Sequence, residues 1–519
     1  MAITQGLQRA LQINRNGTAT MCGERRRTWQ EFGERVARLA GALRGLGFET
    51  GGRAAILALN SDRYLEVYYA VAWAGGIIVP INIRLAPPEI SYALNDSGAS
   101  ILIVDDAFAA MLPALSGKLD IVREVVFAGD GPTPAGARNY EELLTAAKPI
   151  PDAERRGDDV AGIFYTGGTT GQAKGVMLTH SNFLSQAINV LAALQCDEDW
   201  VYLHAAPMFH LGDISGMLAL TMCAGSHAFI SKFDSVDTLR AIQAYRVTYI
   251  VLVPTMINML VNFPSVQDYD LSSLKLICYA GSPMPETLIA RAMEMLPRCG
   301  FLHAYGMTEL SPLATFLDPK YHTLDGPLAG KLRSVGRPIP SITLKIIDSE
   351  DHEVPRGTVG EIVVRGPNVM KGYWNKPEAT AQVLRGGWMH TGDAGSMDED
   401  GFVYIVDRLK DMIISGGENI YSAEVENAIY QHPVVAMCAV IGIPSETWGE
   451  AVHAIVVPKE GQEVDAEAII VHCKGLIAGY KCPRSVEVRR EPLPISGVGK
   501  ILKSELRRQF WESRERQVN

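Results

Sequence analysis

Between Thr166 and Lys174 stand Gly167, Gly168, Thr169, Thr170 and Gly171, then Gln172 and Ala173. Glycines let backbone N–H groups approach an anion closely, threonine hydroxyls add donors, and the lysine adds a point charge. That set suits a polyphosphate. The nearest general pattern is the phosphate loop G-x-x-x-x-G-K-[ST], which this chain fails. Ala173 takes the place of the second glycine, and Gly175 that of the magnesium-binding hydroxyl. The stretch points to nucleotide chemistry outside the P-loop NTPase class. Standing alone, it also reads as a polar turn between two elements.

The surrounding sequence alternates strands and helices. Just upstream, residues 160–164 read as a buried strand. Thr28 and Glu31 form a capping box that opens a helix, Phe32, Val36, Leu39 and Leu43 follow at helical spacing, and Gly45 and Gly47 mark its end. Short apolar or β-branched runs at 54–59, 77–81, 101–104, 249–253, 274–279 and 301–304 are separated by helical stretches. Such alternation predicts an α/β fold of parallel sheets covered by helices, in more than one sheet. Near residue 340 the texture changes to strands at 343–347, 361–364 and 402–405 joined by Gly, Asp and Pro turns, as in a small β-barrel or meander. A charged knot, Asp407 to Asp411, precedes a compact tail of helix–strand units at 423–430, 439–442, 451–457 and 466–475. The expected division is a large N-terminal domain, 1–409, and a small α+β C-terminal domain, 410–519.

Bulk properties narrow the classes. At 519 residues the chain exceeds one ordinary core. Its 47% hydrophobic and 20% charged content is that of a soluble globular protein. A net charge of -10 argues against nucleic-acid binding, though not against a local phosphate site. Eight scattered cysteines without a C-x-x-C pair read as reduced thiols rather than a disulfide or zinc framework. No signal peptide and no run of about 20 apolar residues is evident, so a cytoplasmic location is expected.

Further motifs accompany the loop. Ala280, Gly281, Ser282 and Pro283 follow one strand, and Tyr305, Gly306, Met307, Thr308 and Glu309 follow another. Trp388 to Asp393 precedes the last barrel strand, the knot leads into Gly416, Gly417, Glu418 and Asn419, and Lys500 closes a Ser/Gly loop near the C-terminus. In this order, from Gly75 to Lys500, the set resembles the acyl-adenylate-forming superfamily, in its acyl-CoA synthetase branch of fatty-acid and aryl-acid CoA ligases.

The resemblance implies a small mobile C-terminal domain with the active site between it and the large one. Thr166 to Lys174 would hold the β- and γ-phosphates of ATP, Gly281, Ser282 and Pro283 with Tyr305 would sandwich adenine, and Gly306 and Met307 would complete that site. Thr308 would touch the α-phosphate, Glu309 would ligate Mg2+, and Asp393 with Arg408 would take the ribose. An ionised carboxylate suits two hydroxyl donors. Lys500 would bridge substrate carboxylate and α-phosphate, easing the approach of two anions. Lys410 would be the hinge about which the C-terminal domain turns between half-reactions, bringing Gly416, Gly417 and Glu418 to a coenzyme A tunnel.

Each residue also has a plainer reading. Lys500 alone would be a surface lysine, Glu309 a carboxylate at a helix start, and Asp393 a turn residue. His210, after Pro207, Met208 and Phe209, matches a position between acyl pocket and thiol tunnel, or else is a packed core histidine. Asp213 either faces the acyl pocket or caps a helix. Gly167 and Ala173 depart from the serine and proline common in the family, which loosens the loop without removing charge or hydroxyls.

The acceptor is expected to be coenzyme A, because the chain ends soon after Lys500 without a carrier domain. Candidate acyl-pocket residues are Met256, Ile257, Ala280, Gly281, Ala304, Gly306 and Met307, small or apolar with no cation for a second carboxylate. That fits a medium-chain fatty acid or a phenylpropanoid-like aryl acid. The alternatives are transfer to a carrier protein or amine, a luciferase-like oxygenase and a non-catalytic scaffold. A homodimer is one candidate assembly.

Overall fold

The computed structural model describes residues 2–115, 119, 121–166, 173–282, 284–408, 411–415, 418–495 and 501–511. The expected helix starts where its cap predicts. Thr28 Oγ1 accepts from Glu31 N at 3.2 Å and Glu31 Oε2 from Thr28 N at 2.7 Å, and Phe32, Val36, Leu39 and Leu43 lie buried on the face that follows.

Two large sheets form the N-terminal part. One has eight strands in the order Gly372–Tyr373, Lys174–Thr179, Val160–Thr166, Ile77–Pro80, Arg53–Leu57, Ala99–Val104, Glu124–Phe127 and Arg138–Asn139. The other has nine, in the order Arg337–Pro338, Thr315–Leu317, Gly300–Tyr305, Leu276–Ala280, Tyr249–Leu252, Val201–His204, Ser226–Phe229, Thr18–Cys22 and Arg25–Thr28. Its six middle strands are mutually parallel. The largest core draws on both sheets, with Ile78, Ile101 and Phe164 from one and Tyr202, Leu276 and Leu302 from the other. Helices Trp29–Gly45, Asp62–Trp73, His180–Leu194 and Leu211–Cys223 fill the layer between them. Separate cores cover the outer faces, giving an alternation of helix and sheet layers.

The stretch after residue 340 forms a five-stranded half-barrel sheet from Thr343–Ile347, Gly360–Arg365, Leu384–Arg385, Trp388–Met397 and Val403–Arg408. The segment Trp388 to Asp393 is therefore itself a strand. Beyond it a five-stranded sheet with helices makes an α+β unit, whose cores, among the described residues, contain only those from 413 onward. Among the described residues the N-terminal cores contain none beyond Ile405.

One buried feature was not legible in the motifs. Asp62 and Glu66, both fully buried on one helix, are paired by Arg25, Arg27 and Arg35, with Arg35 Nε 2.6 Å from Glu66 Oε1. Tyr140 Oη donates to Glu66 Oε2 at 2.7 Å. Charges so buried persist only when paired and hydrogen-bonded, as these are.

Candidate active site

The carboxyl ends of the parallel strands carry several of the residues that the motifs single out. Ala280 pairs with Ala304, so Gly281 and Ser282 leave the sheet beside Tyr305 and Gly306. Crevices at this edge are where open α/β sheets bind ligands. Gly281 has φ +92°, a left-handed conformation that glycine adopts without strain. Pro283 lies outside the described residues.

Gly306 is small for a reason other than pocket depth. A Cβ there would stand 1.9 Å from the carbonyl oxygen of Pro312, so the chain's own backbone occupies the space. The loop from Leu310 to Leu313 is braced by two buried amides. Gln186 Nε2 donates to Leu310 O at 2.7 Å and Leu313 O at 3.0 Å, and Asn368 Nδ2 to the same oxygens at 3.2 and 2.7 Å. This bracing holds the short 3₁₀ turn Thr308–Leu310, in which Thr308 is half-buried and Glu309 buried.

Two polar threads tie this edge to the other sheets. Tyr305 Oη donates to Asp393 Oδ2 at 2.8 Å, linking the proposed adenine and ribose residues. Asp393 is 4% exposed, and its strand register places it opposite the backbone of Arg408. In the second thread, Tyr373 Oη donates to Glu309 Oε1 at 2.8 Å, while Lys174 Nζ sits 4.9 Å from the centre of the Tyr373 ring. Burial first, then the charge of Glu309, pushes the Tyr373 phenol well above its ordinary pKa, so it remains a donor. Tyr373 was missed in the sequence, where a two-residue strand gives no periodic signal.

The strands on either side of residues 167–172 pair as a hairpin. Thr166 pairs antiparallel with Lys174, so the strand turns back on itself, whereas a P-loop leads from a strand into a helix. The failed pattern is thus accompanied by a different topology, a strand following the lysine in place of a helix. Gly167, Gly168, Thr169, Thr170 and Gly171 lie outside the described residues, as do Lys410, Gly416, Gly417 and Lys500. Glu418 is exposed at the start of strand Glu418–Ile420, paired with Ser415. Ile495 and Ile501, flanking the segment with Lys500, pair antiparallel.

His210, not Asp213, caps the helix Leu211–Cys223. Its Nδ1 accepts from Gly212 N at 3.3 Å. Asp213 is fully buried and does not cap: Oδ1 accepts from Tyr202 Oη at 2.8 Å, and Oδ2 lies 2.7 Å from His204 Nδ1. His204 Nε2 meets His227 Nδ1 at 3.0 Å. Burial, then His204, holds the His227 pKa well below its ordinary value, keeping that ring neutral. The acyl candidates divide as well. Ala280, Ala304 and Met307 pack with the core between the sheets, but Ile257, 2% exposed, and Met256 pack with the core on the other face. Neighbouring strands were legible in sequence; the face each helix covers was not.

Among the described residues no cluster of three or more His, Cys, Asp or Glu could cage a metal. A single buried carboxylate, linked through Tyr373 to Lys174, instead fits Mg2+, which takes one or two carboxylates plus substrate phosphates and water. Among the described residues no helix is long and apolar enough to cross a membrane.

Comparison with known proteins places the chain in a family. The family described as AMP-binding enzyme matches residues 7–374, and its C-terminal domain matches residues 424–500, ending on Lys500. The feruloyl-CoA synthase of an Amycolatopsis species is 42% identical over 504 residues, covering 97% of this chain and 98% of that one. The indoleacetate–CoA ligase of Aromatoleum aromaticum is 37% identical over 514 residues, covering 98% of each. The crystal structure of ATP-bound MatB from Rhodopseudomonas palustris superposes with a TM-score of 0.89 at 29% identity, over 99% of this chain and 100% of that one. The chain belongs to the AMP-binding enzyme family, in its acyl-CoA synthetase branch.

Proposed function

We propose that this protein is an ATP-dependent acyl-CoA synthetase for a carboxylic acid with an apolar tail, either phenylpropanoid-like and aryl or medium-chain fatty. The observation that carries the reading is the meeting of the Tyr305–Asp393 and Lys174–Tyr373–Glu309 threads at one sheet edge. Feruloyl and indoleacetate groups in the names of the relatives favour the aryl half of that class.

In the proposed first half-reaction the carboxylate attacks the α-phosphorus of ATP, giving acyl-AMP and pyrophosphate. Thr166 to Lys174 cradle the departing pyrophosphate, with the lysine held over Tyr373 as the point charge. Gly281, Ser282, Pro283 and Tyr305 hold adenine, Asp393 and Arg408 the ribose, and Thr308 the α-phosphate. Glu309, oriented through one oxygen by Tyr373, would hold Mg2+, which when bound offsets phosphate charge. Lys500 supplies the cation between the two anions that react. In the second half-reaction the coenzyme A thiol attacks the acyl carbon and AMP leaves. Domains 1–409 and 410–519 alternate about Lys410 between the halves, and Gly416, Gly417 and Glu418 border the thiol path. Ala280, Ala304 and Met307 line the acyl pocket, with His210 between pocket and thiol. Scattered thiols support a cytoplasmic setting.

A pyrophosphate-release screen over aryl, phenylpropanoid and C6–C12 acids, with and without coenzyme A, tests the function. Thioester formation from an apolar acid is expected. Acyl-AMP that accumulates unchanged by coenzyme A would instead assign transfer to a carrier protein or amine. For Asp393→Asn the buried amide keeps one acceptor for Tyr305 but loses the charge. ATP KM should rise about tenfold with a smaller change in kcat, since a charged hydrogen bond is worth roughly 1.5–3 kcal/mol. An unchanged KM would remove Asp393 from the ribose.

A further inference from the structure

The turn from Ala205 to His210 joins strand Val201–His204 to helix Leu211–Cys223 and runs through buried surroundings, with Ala205, Ala206, Met208 and Phe209 all buried. Its backbone groups therefore need protein partners. They find them on one side chain from the other large sheet. Asn60, buried just beyond the carboxyl end of strand Arg53–Leu57, donates from Nδ2 to His204 O at 3.1 Å and to Ala206 O at 2.9 Å. Its Oδ1 accepts from Met208 N at 2.8 Å. Both amide donors and the acceptor are thus directed to three alternate residues, the last of the strand and two of the turn. Tyr68 adds a fourth bond, its hydroxyl donating to Met208 O at 3.1 Å.

The clamp residue and the helix after the turn are also fastened. The Asn60 backbone N–H donates to Ser231 O at 3.1 Å, and His204 and Tyr202 hold Asp213 in the first turn of the helix. A carboxamide is suited to this clamp. Aspartate would lack the two donors, and alanine would leave two buried carbonyls and one N–H without it. The clamp connects the carboxyl edges of both sheets, the edges on which the proposed site is built.

We propose that Asn60 is a positioning residue for thioester formation, fixing the 205–210 turn and hence the direction in which His210 meets the acyl group and thiol. This rests on the reading of His210 given above. A reacting group misplaced by about 1 Å can lose a hundredfold in rate, so a clamp on the turn has leverage that a packing residue lacks.

The test uses the full-length enzyme with feruloyl-AMP, or the adenylate of whichever screened acid turns over fastest. Pyrophosphate release and single-turnover thioester formation are measured separately for Asn60→Ala, Tyr68→Phe and His210→Ala, with melting curves for each. Asn60→Ala should slow thioester formation about twentyfold while pyrophosphate release stays within about threefold, and Tyr68→Phe should do the same more weakly, about threefold. Tyr68→Phe removes one hydroxyl and keeps the ring, so it reports even where Asn60→Ala folds poorly. Slowing by His210→Ala without slowing by either clamp variant would overturn the positioning role and leave the function standing, and so would equal loss of both half-reactions in Asn60→Ala and Tyr68→Phe. Undiminished thioester formation in His210→Ala would remove the role of His210 and the inference with it.

Discussion

Lys500→Ala should reduce acyl-AMP formation about a thousandfold while leaving thioester formation from supplied acyl-AMP within about threefold of normal, the scale expected when a preorganised charge is removed from one transition state. The carboxylate and the α-phosphate repel, and a cation placed between them lowers the barrier only for the step in which they meet. The second step attacks a neutral acyl carbon and has no such need. Pyrophosphate release followed continuously, and single-turnover thioester formation from synthetic acyl-AMP, separate the two. Equal loss in both would contradict the division of labour between half-reactions. Lys410→Pro offers the converse: a hinge restricted at one φ should spare adenylation and slow thioester formation.

The next largest effect is expected at Glu309. Glu309→Gln removes a buried negative charge but keeps an acceptor for the Tyr373 hydroxyl, which now reaches Oε1 at 2.8 Å. Pyrophosphate release should fall about a hundredfold, with little change in melting temperature, because the hydrogen-bonded frame survives while the carboxylate charge that would hold Mg2+ is lost. Tyr373→Phe should fall less, about fivefold, since the carboxylate remains but one of its oxygens loses a neutral donor worth about 1 kcal/mol. A titration with Mg2+ distinguishes the roles. If Glu309→Gln shows the wild-type Mg2+ dependence and rate, Glu309 is a structural carboxylate only.

Much of the fold was legible. The capping box at Thr28, the apolar runs of the parallel strands and the change of texture near residue 340 all correspond to elements found there, because each is written in adjacent residues. What was not legible involves partners far apart. Asn60 is nearly 150 positions from the turn it clamps, and Tyr373 is 64 from the Glu309 it orients. Asp213 looked like a cap because an acid near a helix start is a common local solution. Here His210 takes that place, and burial beside Tyr202 and His204 assigns the carboxylate elsewhere. Gly306 looked like pocket depth, yet Pro312 of the same loop fills the space.

The chemical groups were readable in the sequence alone: a lysine and hydroxyls that suit phosphates, carboxylates to which the family resemblance gives the proposed ribose and metal roles, and a second lysine on a separate Ser/Gly loop. Their order along the chain named the nucleotide reaction, since residue types and local spacing are one-dimensional properties. Only the tertiary structure decided which of them point at one another. Whether a glycine is space or contact, whether an acid caps or lies buried, and which sheet face Met256 and Ile257 cover depend on long-range packing. That packing is set by burying apolar faces and pairing every buried polar group at once, a condition no short stretch of sequence states.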